Sequence, residues 1–233
     1  MSTPQETRVA VVTGGASGIG ASVARMLAEQ GMTVVVADID GEAATRYATS
    51  LRDAGHRADA LAMDVGNPAS IEQGFATVRA THGRCDVLVN SAGIAKVVPF
   101  LTFPLDNWLA TMNINVTGTM LCSQHAAQMM VERGWGRIVN LASVAGMRAV
   151  GSGRTAYGTS KAAVIGLTRQ IAAELAEHGV TVNAVCPGPI DTPMVEAMHT
   201  PQFRAEYAKA IPMSRYGSTE EVAAVVAFLA SDA

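Results

Sequence analysis

The sequence predicts an α/β protein: a doubly wound parallel sheet with helices on both faces, stacked as a three-layer αβα sandwich. Three observations predict it. Short β-branched runs alternate with longer helix-like stretches from the first residues almost to the last, the order that builds parallel sheets from βαβ units. Most of those runs are nearly continuously apolar, as strands covered on both faces should be. A glycine-rich turn joins the first run to the first helix, the place where such sheets bind nucleotides. At 233 residues one hydrophobic core still suffices, so residues 1–233 are expected to form a single domain.

In chain order, a strand is expected over Arg8 to Thr13 and a helix over Ile19 to Gln30; the pattern repeats with a strand over Thr33 to Ala37 and a helix over Glu42 to Ala54. Ala58 to Met63 reads as the third strand, followed by a helix over Ala69 to His82 behind Pro68, which suits a first-turn position. Val87 to Asn90 precedes one long helix over Asp106 to Arg133, and Arg137 to Leu141 precedes another over Thr155 to His178. Thr181 to Cys186 is the sixth strand, and Thr219 to Leu229, with Glu220 in its first turn, is the last helix. Between them, residues 187–216 hold five prolines and a polar middle, which reads as a lid or substrate loop.

Composition excludes several classes. With 49% hydrophobic and 16% charged residues and 22 glycines, the chain is neither disordered nor collagen-like. Its net charge is −3 and its 17 basic residues are scattered, so nucleic acid is not an expected partner. No apolar run approaches the roughly 18 residues of a membrane helix, and Met1 to Arg8 is polar without a signal-peptide core. No membrane partner and a cytoplasmic location are expected. Cys85, Cys122 and Cys186 lie among apolar neighbours and suit buried free thiols, and the five histidines lack ligand spacing, so no metal is expected.

The turn Thr13-Gly14-Gly15-Ala16-Ser17-Gly18-Ile19-Gly20 opens the first helix. Backbone N–H groups and a helix N-terminus there suit a pyrophosphate, and absent side chains let it approach. Taken alone, the pattern also suits an ordinary tight turn. Asp38 ends the second strand 18 residues beyond Gly20, near the offset of about 20 at which a carboxylate meets the adenosine ribose. Asp38 would repel a 2′-phosphate, and neither Ser17 nor Ile39 offers a compensating cation, which favours NAD over NADP; the alternative for Asp38 is a turn or cap residue. Gly15 to Ser22 has P-loop spacing but carries Ala21 in place of the lysine, which disfavours a nucleotide triphosphatase.

Tyr157 and Lys161 are spaced i, i+4 at the start of a long helix, so phenol and ammonium share a face. A tyrosine acting as a base near neutrality needs roughly 4 kcal/mol of phenolate stabilisation, part of which Lys161 can supply. The bland alternative is an exposed helix pair. Ser143 stands just beyond the strand Arg137 to Leu141, at a carboxyl end where an open sheet meets its ligand. No Gly-x-Ser-x-Gly occurs, so a nucleophile-elbow hydrolase has no elbow.

Thr13 to Gly20, Asn90-Ser91-Ala92-Gly93, Asn115, Ser143, Tyr157-x-x-x-Lys161 and Pro187-Gly188 stand in an order and spacing that resembles the short-chain dehydrogenases/reductases over almost the whole chain. The resemblance implies a Rossmann-like fold, a nicotinamide cofactor, and reversible hydride transfer between it and a carbonyl or secondary alcohol. It makes Tyr157 the acid/base, Lys161 the group that lowers its pKa and binds the nicotinamide ribose, Ser143 the orienter of the reacting oxygen, and Asn115 the holder of a water linking Lys161 to solvent. Gly14, Ser17, Gly18, Ile19 and Gly20 would form the phosphate turn. Asn90, Ala92 and Gly93 would shape the central crevice, Asp64 and Val65 would meet the adenine, and Pro187, Gly188, Ile190 and Thr192 would face the carboxamide and pyrophosphate. A homodimer or homotetramer through the two long helices is also implied.

Two local departures stand out: Ser91 replaces the family's usual second Asn, and the Ser143 to Tyr157 interval is slightly long. The end at Phe228 to Ala233 resembles the point from which family members continue into a further strand, so the native product is expected to run on. Around the pocket, Arg154 and Arg148 raise the idea of an acidic substrate, against the reading of solvated loop arginines, and Met147, Val150, Met194, Met198 and Phe203 are candidate wall residues. The leading expectation is an NAD-dependent alcohol dehydrogenase or ketone reductase with a small-molecule substrate. The alternative is a dinucleotide-binding sensor or scaffold without turnover, and an epimerase would need a larger C-terminal domain.

Overall fold

The valine-rich runs form six strands that pair in parallel throughout, in the order β3-β2-β1-β4-β5-β6. The computed structural model describes residues 7–198 and 200–233, Met198 through its backbone alone. The chain runs β1 (Val9–Thr13), α1 (Gly18–Glu29), β2 (Thr33–Asp38), α2 (Gly41–Asp53), β3 (Arg57–Ala62), α3 (Pro68–His82) and β4 (Val87–Asn90). It continues as α4 (Leu105–Met112), α5 (Thr119–Arg133), β5 (Gly136–Leu141), α6 (Thr155–Leu175), β6 (Val180–Val185), α7 (Pro193–Met198), α8 (Pro201–Lys209) and α9 (Thr219–Leu229).

Alternation along β1 splits the core in two. Ala10 and Val12 pack with Val34, Val36, Leu27 of α1 and Val226 of α9 on one face. Val9 and Val11 pack with Ile71 and Phe75 of α3 and Met130 of α5 on the other. All five β1 residues are buried, and each buried valine contributes roughly 1.5–3 kcal/mol. The strand that carries the glycine turn is therefore firmly anchored. Local signals fix the helix ends: the Asn67 side chain accepts from the Ala69 and Ser70 amides ahead of Pro68, and Gly83 closes α3 in the left-handed conformation. Ser218 and Glu221 form a reciprocal capping box at α9.

Three expectations need correction. The single helix over Asp106 to Arg133 is interrupted by a π-helical segment over Asn113–Gly118, whose wider turn accommodates an extra residue and buries Asn115. The 187–216 segment is not only loop: it folds into α7 and α8, with Thr200 capping α8. It is tied down by an Ile190–Gly217 bridge and an Arg204–Asp191 ion pair. β3 is an edge strand in which only Ala58 is fully buried, not a doubly covered one. Cys85 and Cys122 are buried free thiols, whereas Cys186 is half-buried.

Candidate active site

Because β2 and β3 lie on one side of β1 while β4, β5 and β6 lie on the other, the helices that follow β1 and β4 leave toward opposite faces. A crevice opens between the two strand ends. Thr13 holds it in register: its Oγ1 accepts from the Ser91 and Ala92 amides at 3.1 and 3.2 Å. Gly14 has a φ of +61°, and a Cβ on it would stand 2.9 Å from the Ala92 Cα. At Gly20 a Cβ would come within 2.1 Å of the Gly14 carbonyl oxygen. Only glycine permits this packing of turn on helix. Ser17 stands at the N-cap of α1, yet its side chain makes no capping bond. The first-turn amides of α1 are thus left without an intrahelical or side-chain acceptor and face the crevice.

A cleft of about 320 Å³ follows, lined by Gly14, Ser17, Gly18, Ile19, Asp38, Asp64, Val65, Ala92, Gly93 and Thr192. Asp38 is held at its rim by the Ala16 and Asp40 amides, both at 3.2 Å, and Ile39 beside it is 71% exposed. Asp64 accepts from the Gly66 amide at 2.8 Å. Asn90 does not line the cleft; its amide donates to Ser123 Oγ at 3.0 Å and Asn140 Oδ1 at 2.8 Å. Its contribution is to fix the end of β4 against β5 and α5. Ser91, the departure from the family pattern, lines the crevice in its place.

Beyond the cleft, Ser143, Tyr157 and Lys161 line a cavity of about 130 Å³ with Pro187, Gly188, Ile190 and Thr192. Ser143 follows β5 in an extended conformation and its Oγ accepts from the Ala145 amide. The Val144 amide donates to the Pro187 carbonyl at 3.0 Å, which joins the serine turn to the end of β6. Ser143 and Tyr157 line this cavity together, and the serine hydroxyl acts on the phenol so as to favour its ionised form. Lys161 Nζ lies 5.7 Å from the Tyr157 ring centroid and donates to the Leu141 carbonyl at 2.6 Å.

Burial dominates the electrostatics. It raises the Tyr157 phenol above its ordinary pKa, with the Ser143 hydroxyl and the Arg154 charge pulling the other way. It lowers the Lys161 ammonium to about 8, opposed by Cys186. The groups that favour the phenolate here are thus Ser143 and Arg154, while Lys161 is turned toward a main-chain carbonyl. Asn115 bonds on three sides: it accepts from the Ile94 amide at 2.9 Å and donates to the Ile94 carbonyl at 2.9 Å and to Ser160 Oγ at 3.0 Å. It fixes the segment after Gly93 to the turn of α6 that carries Lys161.

Sequence reasoning missed three of these partners. Leu141 and Ile94 act through their main chains, which no residue type signals; Ser160, a small polar residue directly before Lys161, was the one readable sign. Arg154, Val150, Met194 and Phe203 line a third cavity of about 390 Å³ that also reaches Ser143 and Tyr157. Met147 is 71% exposed, and neither it nor Arg148 lines the three cavities; the Met198 side chain lies outside the described residues. Among the described residues, no group of three or more His, Cys, Asp or Glu is placed to hold a metal ion, and no helix is long and apolar enough to cross a membrane.

A family model described as enoyl-(acyl carrier protein) reductase matches residues 14–233. The cis-4-hydroxycyclohexanecarboxylate dehydrogenase of Sinomonas cyclohexanicum is 45% identical over 228 residues, covering 97% of this chain and 90% of that one. A short-chain type dehydrogenase/reductase from Mycobacterium marinum superposes with a TM-score of 0.92 at 35% identity, over 96% of this chain and 88% of that one. A gluconate 5-dehydrogenase from Burkholderia cenocepacia, solved with NADP and tartrate, gives 0.92 at 34% identity, over 97% and 89%. With relatives this similar along nearly its whole length, the chain belongs to the short-chain dehydrogenase/reductase family.

Proposed function

We propose that the chain is an NAD-dependent oxidoreductase that moves a hydride reversibly between a secondary alcohol, or the matching ketone, and a nicotinamide ring. One observation carries this reading. The cavity that holds Ser143, Tyr157 and Lys161 shares Ile19, Ser91, Gly93, Thr192 and Met194 with the glycine-turn cleft, so an extended dinucleotide has one continuous path from Asp38 to the phenol.

The residues present fit such a group. The uncapped amides of α1 suit its pyrophosphate. The backbone at Gly14 and Gly18, with φ of +61° and +53°, keeps side chains out of its way. When bound, the dinucleotide supplies the hydride acceptor or donor and, oxidised, a positive charge. Ser143 orients the reacting oxygen beside the phenol. In oxidation Tyr157 takes the hydroxyl proton as the C–H bond yields its hydride; in reduction the phenol returns the proton to the carbonyl oxygen. Lys161 would hold the nicotinamide ribose, and Asn115, through Ser160 and Ile94, keeps the floor beneath Lys161 in place for a proton path to solvent. A pure binding module has no use for a serine, tyrosine and lysine gathered in this way.

Asp38 selects the dinucleotide. Among the described residues no Lys or Arg lines the cleft around it, and a 2′-phosphate beside its carboxylate meets a like-charge penalty of roughly 1–4 kcal/mol. One solved relative carries NADP, so the choice rests on this chain's own residues. Parallel calorimetric titrations with NAD and NADP test it, and NADP preference would refute the Asp38 argument. Absorbance at the nicotinamide band, read over secondary alcohols and ketones, tests turnover; cis-4-hydroxycyclohexanecarboxylate, for which the 45% identical relative is named, heads the panel. Tyr157→Phe is expected to bind NAD within a few-fold of wild type while kcat falls by about 100-fold or more. Unchanged kcat would end the assignment.

A further inference from the structure

We infer that the substrate carries its reacting carbon on a compact apolar body, from one substituted ring to two fused rings, and is not a polyol or sugar acid. The inference rests on the oxidoreductase reading above and names the substrate class of that same site.

The third cavity, about 390 Å³, includes Ser143 and Tyr157 in its lining, so a molecule whose oxygen reaches the phenol has this space for the rest of its body. The volume is more than twice the roughly 150 Å³ of an apolar cavity that takes one benzene ring. Val97, Val144, Val150, Pro189, Met194 and Val195 form much of the wall. Among the described residues that line it there is no Asp, Glu, Asn, Gln, His or Lys, the side chains suited to pair with a row of hydroxyls. On the oxidoreductase reading, Ser143 and Tyr157 are taken up by the reacting oxygen. Arg154 and Tyr207 also line the cavity, and each is already engaged within the protein. Of the polar side chains that leaves Ser152, which is exposed. A polyol would give up water at each hydroxyl and regain few bonds here, which costs affinity at every carbon beyond the reacting one. An apolar ring gives up no such bonds, and each methylene buried against the valines adds to its binding.

The test separates binding from turnover. Cyclohexanecarboxamide and tetrahydropyran-4-carboxamide differ only by a ring oxygen in place of one methylene, and neither has a carbinol carbon to oxidise. Each is titrated calorimetrically into the NAD-loaded protein. The first is expected to bind about 10- to 100-fold more tightly, the range over which an apolar pocket tells a hydrocarbon group from a polar isostere. In kinetics with NADH, kcat/KM for 4-methylcyclohexanone should exceed that for 4-hydroxycyclohexanone by a similar factor, and that for fructose by more. The double variant Val97→Thr with Val150→Thr keeps the shape of the wall and adds two hydroxyls. Both preferences are expected to shrink about threefold or more in it, with NAD affinity and melting temperature as folding controls. Should the variant melt early, the wild-type comparisons decide alone. Equal binding of the two amides, fructose reduced as well as 4-methylcyclohexanone, or preferences unchanged in a folded double variant overturns the inference; while ketones turn over, the oxidoreductase reading stands. An apolar preference in binding with no turnover of any ketone refutes the oxidoreductase reading, and the substrate class falls with it.

Discussion

Replacing Lys161 by methionine should stabilise the cofactor-free protein while ending its catalysis. The lysine is only 7% exposed, and its ammonium is held by the Leu141 carbonyl at 2.6 Å. Burial brings its pKa from an ordinary 10.5 to about 8, which means the fold disfavours the charged form by about 3 kcal/mol. Methionine has a similar length and no charge to desolvate, but it leaves the Leu141 carbonyl without this donor, a loss of about 1 kcal/mol. The net expectation at pH 7 is a gain of about 2 kcal/mol, or roughly 4–8 °C in Tm for a chain of this size.

The pH dependence fixes the cause. Below pH 8 the lysine is protonated in both folded and unfolded chains, and the gap between variant and wild type stays constant. Between about 8 and 10.5 the unfolded chain keeps a proton that the folded one has released, so wild-type stability gains from rising pH and the gap narrows. Thermal melts of both proteins without cofactor, at pH 7 and again at pH 9.5, read this directly. A variant that melts lower than wild type at pH 7, or a gap unchanged at pH 9.5, would refute the reasoning.

Gly20→Ala is expected to lose NAD binding by calorimetry and to melt well below wild type, because its Cβ would stand 2.1 Å from the Gly14 carbonyl oxygen, a backbone atom held by β1; such overpacking costs about 1–3 kcal/mol or more. Asn115→Ala leaves both main-chain groups of Ile94 without their partner, with an expected loss of roughly 1–3 kcal/mol for each group left unsatisfied, and takes one donor from the Ser160 hydroxyl, which keeps its bond to the Tyr157 carbonyl; a denaturant melt alongside kcat measurements checks it. Burial pushes the Cys85 thiol up, and the Cys122 thiol up to about 12. A thiol reagent at pH 8 should therefore label half-buried Cys186 first, with mass spectrometry showing the other two modified only after unfolding.

The strands were legible because burial on both faces writes itself as an apolar run, as at Val87–Asn90, all four of whose residues are buried. β3 has the same look in part but stands at the sheet edge, and position in a sheet is a property of the assembled fold. The π-helical segment at Asn113–Gly118 was hidden because one extra residue in a turn leaves the neighbouring helical periodicity intact. A buried asparagine in mid-helix was the trace it left. In the site, the i, i+4 spacing correctly put Tyr157 and Lys161 side by side. The direction of the ammonium was not readable, since its acceptor is the main chain of Leu141, 20 residues away. Asn90 likewise reads as a crevice residue from its motif, while its partners Ser123 and Asn140 come from α5 and β5.

The two perturbed groups also set a condition on the chemistry. In the cofactor-free protein Lys161 gives up its proton near pH 8, whereas Tyr157 holds its own above an ordinary value of 10. As the pH rises, the lysine thus becomes neutral before the phenol ionises, and its charge is gone when a phenolate would need it. At neutral pH the bare site therefore presents a proton donor beside a marginally stable cation, a state fit to protonate a carbonyl oxygen but not to accept a proton from an alcohol. For Tyr157 to act as a base, positive charge must be added beside it, or the Lys161 proton must be held by further acceptors; an oxidised dinucleotide and its ribose hydroxyls offer one of each. The same burial that destabilises the empty protein through Lys161 makes base strength at Tyr157 depend on a loaded cleft. On the proposed function, that coupling would tie alcohol oxidation to prior occupation of the Gly14–Asp38 side of the site.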